Sequence, residues 1–178
     1  PTTCAGMRRA STTLIIGDAG GGVRGWFAAP FPEDATPRQR RTTTDGLHMV
    51  RAHDLPDQSG AITSIASSAR DRQFVTGDAS GEVLLRHMTS QVTQATPQPF
   101  GEQPVSLAVL SPKTDALAAF SQDGQLAVYE VDNPHADGSL RALFLPVHYE
   151  GRPGAQHVWQ SSSGSDAGMV KADWLVVQ

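Results

Sequence analysis

Ala61 to Thr89 reads AITSIASSARDRQFVTGDASGEVLLRHMT, and the order of its parts decides the fold. Three short β-type runs stand in it: Ala61–Ser67, Gln73–Thr76 and Glu82–Thr89. Ser68-Ala69-Arg70-Asp71-Arg72 separates the first pair and Gly77-Asp78-Ala79-Ser80-Gly81 the second. Val75 and Val83 bring β-branched bulk into the runs, and Gly81 stands where a tight turn needs a positive φ. Strand, polar turn, strand, Gly-Asp turn, strand describes a small antiparallel meander.

The same punctuation recurs on both sides. Gly17-Asp18-Ala19-Gly20-Gly21-Gly22-Val23 matches Gly77-Asp78-Ala79-Ser80-Gly81-Glu82-Val83 at five of seven positions. A third copy, Phe120–Leu126, keeps the turn glycine, Gly124, and an aliphatic residue two positions later. Gly21, Gly81 and Gly124 stand 60 and 43 residues apart. The second interval is the blade length of a WD40-type propeller, roughly 40–45 residues. The first exceeds it by about the length of an insertion at Ala29–Asp45. The expected fold is therefore all-β, a partial propeller of about three to four WD40-like blades. An ordinary β-meander domain with common turns is the alternative. An open set of blades leaves unpaired strand edges, so either further sequence or further copies of the chain are expected to complete it.

Composition agrees with that class. The chain has 178 residues, enough for one domain with a real core, and is 39% hydrophobic and 18% charged. Its 17 glycines and 12 prolines favour turns over long helices. A net charge of −4 gives no basic surplus to recruit nucleic acid. The single cysteine, Cys4, cannot form an internal disulfide. No run approaches the roughly 20 apolar residues of a membrane span, and no signal peptide is visible. Because it opens on Pro1, the chain is expected to be an excised piece of something longer.

In chain order, Pro1–Ala10 is polar and expected to be loose. Thr12–Asp18 and Val23–Ala28 read as strands about the first Gly-Asp turn. Ala29–Asp45, with its prolines, arginines and three consecutive threonines, reads as a long surface loop. Leu47–Ala52 is a candidate strand and Asp54–Gly60 a turn. After the central unit come a weak strand at Gln91–Thr96, then Val105–Leu110, Ala116–Phe120 and Gln125–Val131, and an apolar strand at Leu140–Val147. The domain is expected to span 1–166, with 167–178 leading out of it.

Little in the sequence points to chemistry. Gly20-x-Gly22-x-x-Gly25 matches the dinucleotide fingerprint on paper, but Trp26-Phe27-Ala28 continues a strand where that motif needs a helix N-terminus. A tight β-turn is the better reading. His48, His53, His87, His135, His148 and His157 lie scattered, without metal-ligand spacing. His53, just before the Asp54–Gly60 turn, is expected to brace that turn by hydrogen bonding. Ser161-Ser162-Ser163 lacks the elbow of a nucleophilic serine. Arg38, Arg40 and Arg41 form a basic cluster that is either a solvated loop or an anion site. No catalytic, cofactor-binding or metal-ligating residue is assigned, and no cofactor is expected.

LIIGDAGGGVRGWF (Leu14–Phe27), the run from Leu47 to Ser90, and VDNPHADGSLRALFLPVHYEGRPGAQHVWQSSSGSD (Val131–Asp166) together resemble the large extracytoplasmic insert of PstC-like phosphate ABC-transporter permeases of Gram-negative bacteria. The most specific phrase is Val158-Trp159-Gln160-Ser161-Ser162-Ser163-Gly164-Ser165-Asp166; in that family a similar segment leads into the transmembrane core. The resemblance ends there: Ala167-Gly168-Met169-Val170-Lys171 does not follow the family pattern, and the membrane helices have no counterpart. It implies a periplasmic, membrane-tethered, non-catalytic accessory domain of a phosphate importer, with blade-top loops and the Ala29–Asp45 insertion as the expected contact surface. Its partners would be the phosphate-binding protein, the sister permease and, through the membrane part, the ATPase. No phosphate-binding residue carries over. The competing expectations are a free-standing WD40-like scaffold for protein–protein contacts, with self-association of the chain as one form of it, and, more weakly, an enzyme acting on a phosphorylated ligand at the arginine loop.

Overall fold

The computed structural model describes residues 1–7, 13–40 and 45–148. It contains three four-stranded antiparallel sheets, each built from one continuous stretch of chain. Blade 1 is β1 (Thr2–Met7), β2 (Thr13–Asp18), β3 (Val23–Pro30) and β4 (Leu47–Leu55). Blade 2 is β5 (Ile62–Ser67), β6 (Gln73–Asp78), β7 (Val83–His87) and β8 (Val92–Ala95). Blade 3 is β9 (Val105–Leu110), β10 (Ala116–Ser121), β11 (Gln125–Glu130) and β12 (Arg141–His148). The sheets are not closed into a ring, so the architecture is a partial propeller.

The strands form where alternation and turn chemistry coincide. In β6, successive side chains leave opposite faces of the sheet, so Phe74 packs toward blade 1 and Val75 toward blade 3. Both faces being covered, β6 is buried from Phe74 to Asp78. Two interblade cores result. Ile15, Val23 and Leu55 of blade 1 meet Ile62, Phe74 and Met88 of blade 2. Val75, Val83 and Leu85 of blade 2 meet Val105, Leu117 and Ala119 of blade 3. Full burial of a side chain such as Phe74 contributes about 2 kcal/mol. A third cluster, Ala118, Leu126 and Val128 with Val109 and Phe120, lies on the face of blade 3 turned away from blade 2.

Several sequence expectations are corrected. The N-terminal stretch is not loose from its first residues: Thr2–Met7 is a strand whose partners run along β2 from Leu14 to Asp18. Its polar composition hid it, because an edge strand of a blade needs few apolar residues. The strand expected to end at Thr76 runs on to Asp78, since Gly77 pairs with both Ser64 and Val83. The strand beginning at Leu47 reaches Leu55, through His53 and Asp54, leaving a shorter turn than expected. The loop read at Ala29–Asp45 is partly structured. Ala29 and Pro30 close β3, and a one-turn helix, α1 (Pro37–Arg40), stands within it. The strand at Leu140–Val147 is present as β12, shifted by one residue. Glu150 onward, with His157, the Ser161–Ser163 run, the most specific phrase of the resemblance and the boundary at 166, lies outside the described residues.

Candidate interaction surfaces

The repeated Gly-Asp turn is a structural device. In blade 1 the Asp18 carboxylate accepts from the backbone amides of Gly20 (2.8 Å) and Gly22 (2.9 Å), and these two bonds, Gly22 first, hold its carboxyl below the ordinary 3.8. In blade 2 one oxygen of the fully buried Asp78 accepts from the amides of Ser80 and Glu82, each at 2.9 Å, while the other takes the Gly60 amide at 2.9 Å. The aspartate thus fastens the turn of its own blade to the chain entering it. In blade 3 a serine takes the place: Ser121 Oγ accepts from Gln125 N at 2.9 Å. Gly21, Gly81 and Gly124 have φ of 83°, 91° and 88°, as the turn requires. The dinucleotide-like glycines Gly20, Gly22 and Gly25 therefore belong to a turn and to the strand that follows it.

Register places Trp26, Arg86 and Tyr129 at one equivalent position, opposite Leu14, Phe74 and Leu117. Arg86 is fully buried between blades 1 and 2. Its Nε donates to Thr76 Oγ1 (3.2 Å) and its Nη1 to Pro56 O (2.6 Å), while Nη2 has no hydrogen-bond partner. Burial pulls its pKa down to about 10, against the nearby Glu82 and Asp57 carboxylates. Sequence reading missed this residue; the signal available was its place in the repeat, where a neighbouring blade carries Trp26.

The most prominent outward feature is an arm on blade 1. β3 and β4 stay paired from Phe27 and Val50 out to Pro30 and Leu47, beyond Thr13, the first described residue of β2. Phe31 stacks on His48 with ring centroids 4.7 Å apart. The described residues of the loop beyond, Pro32 to Arg40, are tied to one another. Thr36 and Gln39 form a reciprocal capping box, Thr36 N donating to Gln39 Oε1 at 2.8 Å and Gln39 N to Thr36 Oγ1 at 3.3 Å. Arg40 folds back onto the carbonyls of Pro32 (2.7 Å), Glu33 (3.0 Å) and Ala35 (3.1 Å). Its guanidinium is therefore occupied with tying the loop. Arg38 is exposed on the same turn, and Arg41 lies outside the described residues. The arm presents two large apolar side chains to solvent, Phe27 (37% exposed) and Met49 (46%).

His53 does not brace the following turn, as its buried Nδ1 has no hydrogen-bond partner. That segment is held instead by Gln58 N on Gly21 O (3.0 Å) and by the Gly60 amide on Asp78. At its start, Arg24 bridges Asp54 (3.2 Å) and Asp57 (2.9 Å), and Arg51 pairs with Asp54.

A groove of about 540 Å³ runs along the outer rim between blades 2 and 3. Residues Thr93–Gln98 line one side, and Tyr129 with Asp137–Leu140 the other. Asp137 is held below its ordinary pKa by the Ser139 hydroxyl and amide, while burial raises Tyr129. Among the described residues no group of three or more His, Cys, Asp or Glu side chains is arranged to hold a metal ion. No helix among them is long and apolar enough to cross a membrane.

No protein-family model matches the chain, and no curated protein matches it. Among solved structures it is similar to the β-propeller domain of Cps50 (Swd1) from Myceliophteria thermophila, with a TM-score of 0.58 at 21% identity. The alignment covers 75% of this chain and 37% of that one, so this chain spans well under half the length of that neighbour. At such identity the likeness speaks for the fold alone. The described blades, their turn geometry and this likeness agree on one architecture: a partial WD40-like β-propeller.

Proposed function

We propose that the chain is a non-catalytic interaction module whose contacts are made by the arm of blade 1. The observation that carries this reading is the pairing of internal hydrogen bonding with exposure. A long β3–β4 hairpin, tied at its loop by the Arg40 and Thr36–Gln39 bonds, presents Phe27 and Met49 to solvent. Pre-ordered apolar side chains make good anchors, because little conformational entropy remains to be lost on binding.

A finer reading makes the module a periplasmic accessory domain of a phosphate importer. What favours it is the resemblance of Leu14–Phe27, Leu47–Ser90 and Val131–Asp166 to the PstC-like permease insert. On that reading the arm contacts the sister permease or the phosphate-binding protein, and the ATPase is engaged only through membrane segments. Nothing among the comparisons bears on phosphate, so the general scaffold reading is the better supported of the two.

Site-specific photo-crosslinking in the native cell tests both. A photoreactive residue at Phe27 or Met49 is expected to trap defined partners, and the same residue at the exposed Arg70 is not. Importer subunits among the products favour the finer reading; other proteins favour the general scaffold. Equal yields from all three positions would remove the arm as the contact surface.

A further inference from the structure

The two interblade seams are built alike, and the outer face of blade 3 departs from them in one informative way. At the first seam Thr3 Oγ1 donates to Ile62 O at 2.6 Å, and at the second Thr63 Oγ1 donates to Val105 O at 2.5 Å. Each seam also sets a branched side chain over a glycine. A Cβ on Gly17 would come within 2.5 Å of Ile62 Cγ2, and one on Gly77 within 2.5 Å of Val105 Cγ1. The sheet registers carry both positions into blade 3, where Ser106 stands for Thr3 and Thr63, and Phe120 for Gly17 and Gly77. Ser106 is exposed, and its hydroxyl turns back to Phe120 O (3.2 Å) and Ser121 O (3.1 Å) of its own blade. Leu107 beside it is 38% exposed, with Val109 and Phe120 half-buried. The hydroxyl peg is thus kept, the glycine is replaced by phenylalanine, and the described side chains beside it, Leu107 and Val109, are apolar.

We infer that the outer face of blade 3, at Ser106, Leu107, Val109 and Phe120, seats a further propeller blade whose innermost strand opens on a small side chain, and not a second copy of this chain. Continuity with the two existing seams names the occupant as a blade. The Phe120 side chain sets the size limit, since its Cβ stands where one on Gly17 or Gly77 would meet Ile62 or Val105. A second copy would bring Thr2, β-branched like valine, to that point. It would also bring Arg24, held by Asp54 and Asp57, where blades 2 and 3 bring the buried Leu84 and Ala127. Both substitutions oppose closure between copies.

Sedimentation equilibrium of the chain tests the inference. The native chain is expected to stay monomeric, whereas Thr2→Gly combined with Arg24→Leu removes both obstacles and is expected to form a dimer. Within that background Ser106→Ala is expected to weaken association about fivefold, the effect of one hydrogen bond, and Leu107→Asp to abolish it. If far-ultraviolet circular dichroism shows the double variant unfolded, Thr2→Gly combined with Arg24→Ala, which removes the same two obstacles, carries the same expectation. A native chain that dimerises through this face, a folded variant that remains monomeric, or association indifferent to Leu107→Asp would each overturn the inference.

Discussion

The hydroxyl of Thr63 lies 2.5 Å from the carbonyl oxygen of Val105 and 3.1 Å from that of Gly77, so one side chain links its own blade to the next. Thr63→Val keeps the shape and removes the donor. The expected cost is about 1 kcal/mol, the loss of one hydrogen bond at the seam. Urea unfolding would read it, and an unchanged midpoint would show that the hydroxyl contributes nothing to the joint.

The turn glycines should separate into two classes. A Cβ at Gly21 would lie 2.0 Å from Gln58 O and one at Gly81 2.2 Å from Gly101 O, whereas one at Gly124 would meet nothing within 4 Å among the described residues. Gly124→Ala should cost only the left-handed backbone strain, about 1–2 kcal/mol. Gly21→Ala and Gly81→Ala should cost distinctly more, because a backbone carbonyl cannot move aside as a side chain can. Equal midpoints for Gly81→Ala and Gly124→Ala would contradict the packing of the incoming loop over the turn.

Arg86→Ala should be among the most damaging single changes, at about 3 kcal/mol or more. It opens a cavity between blades 1 and 2 and strips the Pro56 carbonyl and the Thr76 hydroxyl of their partner. The charge itself has a separate signature. With its pKa pulled down to about 10 when folded, well below the ordinary arginine value, the unfolded chain binds the extra proton between the two. The Arg86 contribution to stability therefore rises with pH through that window. Comparing the native chain with Arg86→Met across it isolates the effect; a gap that narrows with rising alkalinity would contradict it.

Acid should loosen the first turn. The Asp18 carboxyl is depressed by the Gly22 and Gly20 amides, so its contribution is present above the ordinary 3.8 and disappears as pH falls through the lowered folded value. The stability difference between the native chain and Asp18→Ala should hold steady at neutral pH and shrink below that point. A difference independent of pH down to full protonation would mean that the charged form has no role in the turn.

Much of the fold was legible because the turn chemistry repeats. Gly21, Gly81 and Gly124 mark the turn at the same place in every blade, and the β-branched and aliphatic runs beside them set the strands. What escaped was decided by tertiary packing. Thr2–Met7 is polar, and only pairing with β2 makes it a strand. Ala29 and Pro30 extend β3 because Leu47 and His48 lie opposite. Arg86 sits in the core at a position where composition alone predicts solvent, since the Thr76 hydroxyl and the Pro56 carbonyl receive it there. The Ala29–Asp45 insertion was legible as an expected contact surface, but the exposed Phe27 and Met49 beside it and the ties of Arg40 depend on how the chain packs.

Each blade is a single uninterrupted stretch of chain, and no strand is lent to a neighbour. Cutting the link between Leu55 and Ile62, or that between Ala95 and Val105, would therefore break no sheet. The blades adhere to one another through side chains and a few hydroxyl pegs, so the molecule has planes of cleavage as a layered mineral does. Blade 2, covered on both sides, should be the last layer to exchange its amide hydrogens, and blade 1 and blade 3 should peel from it independently.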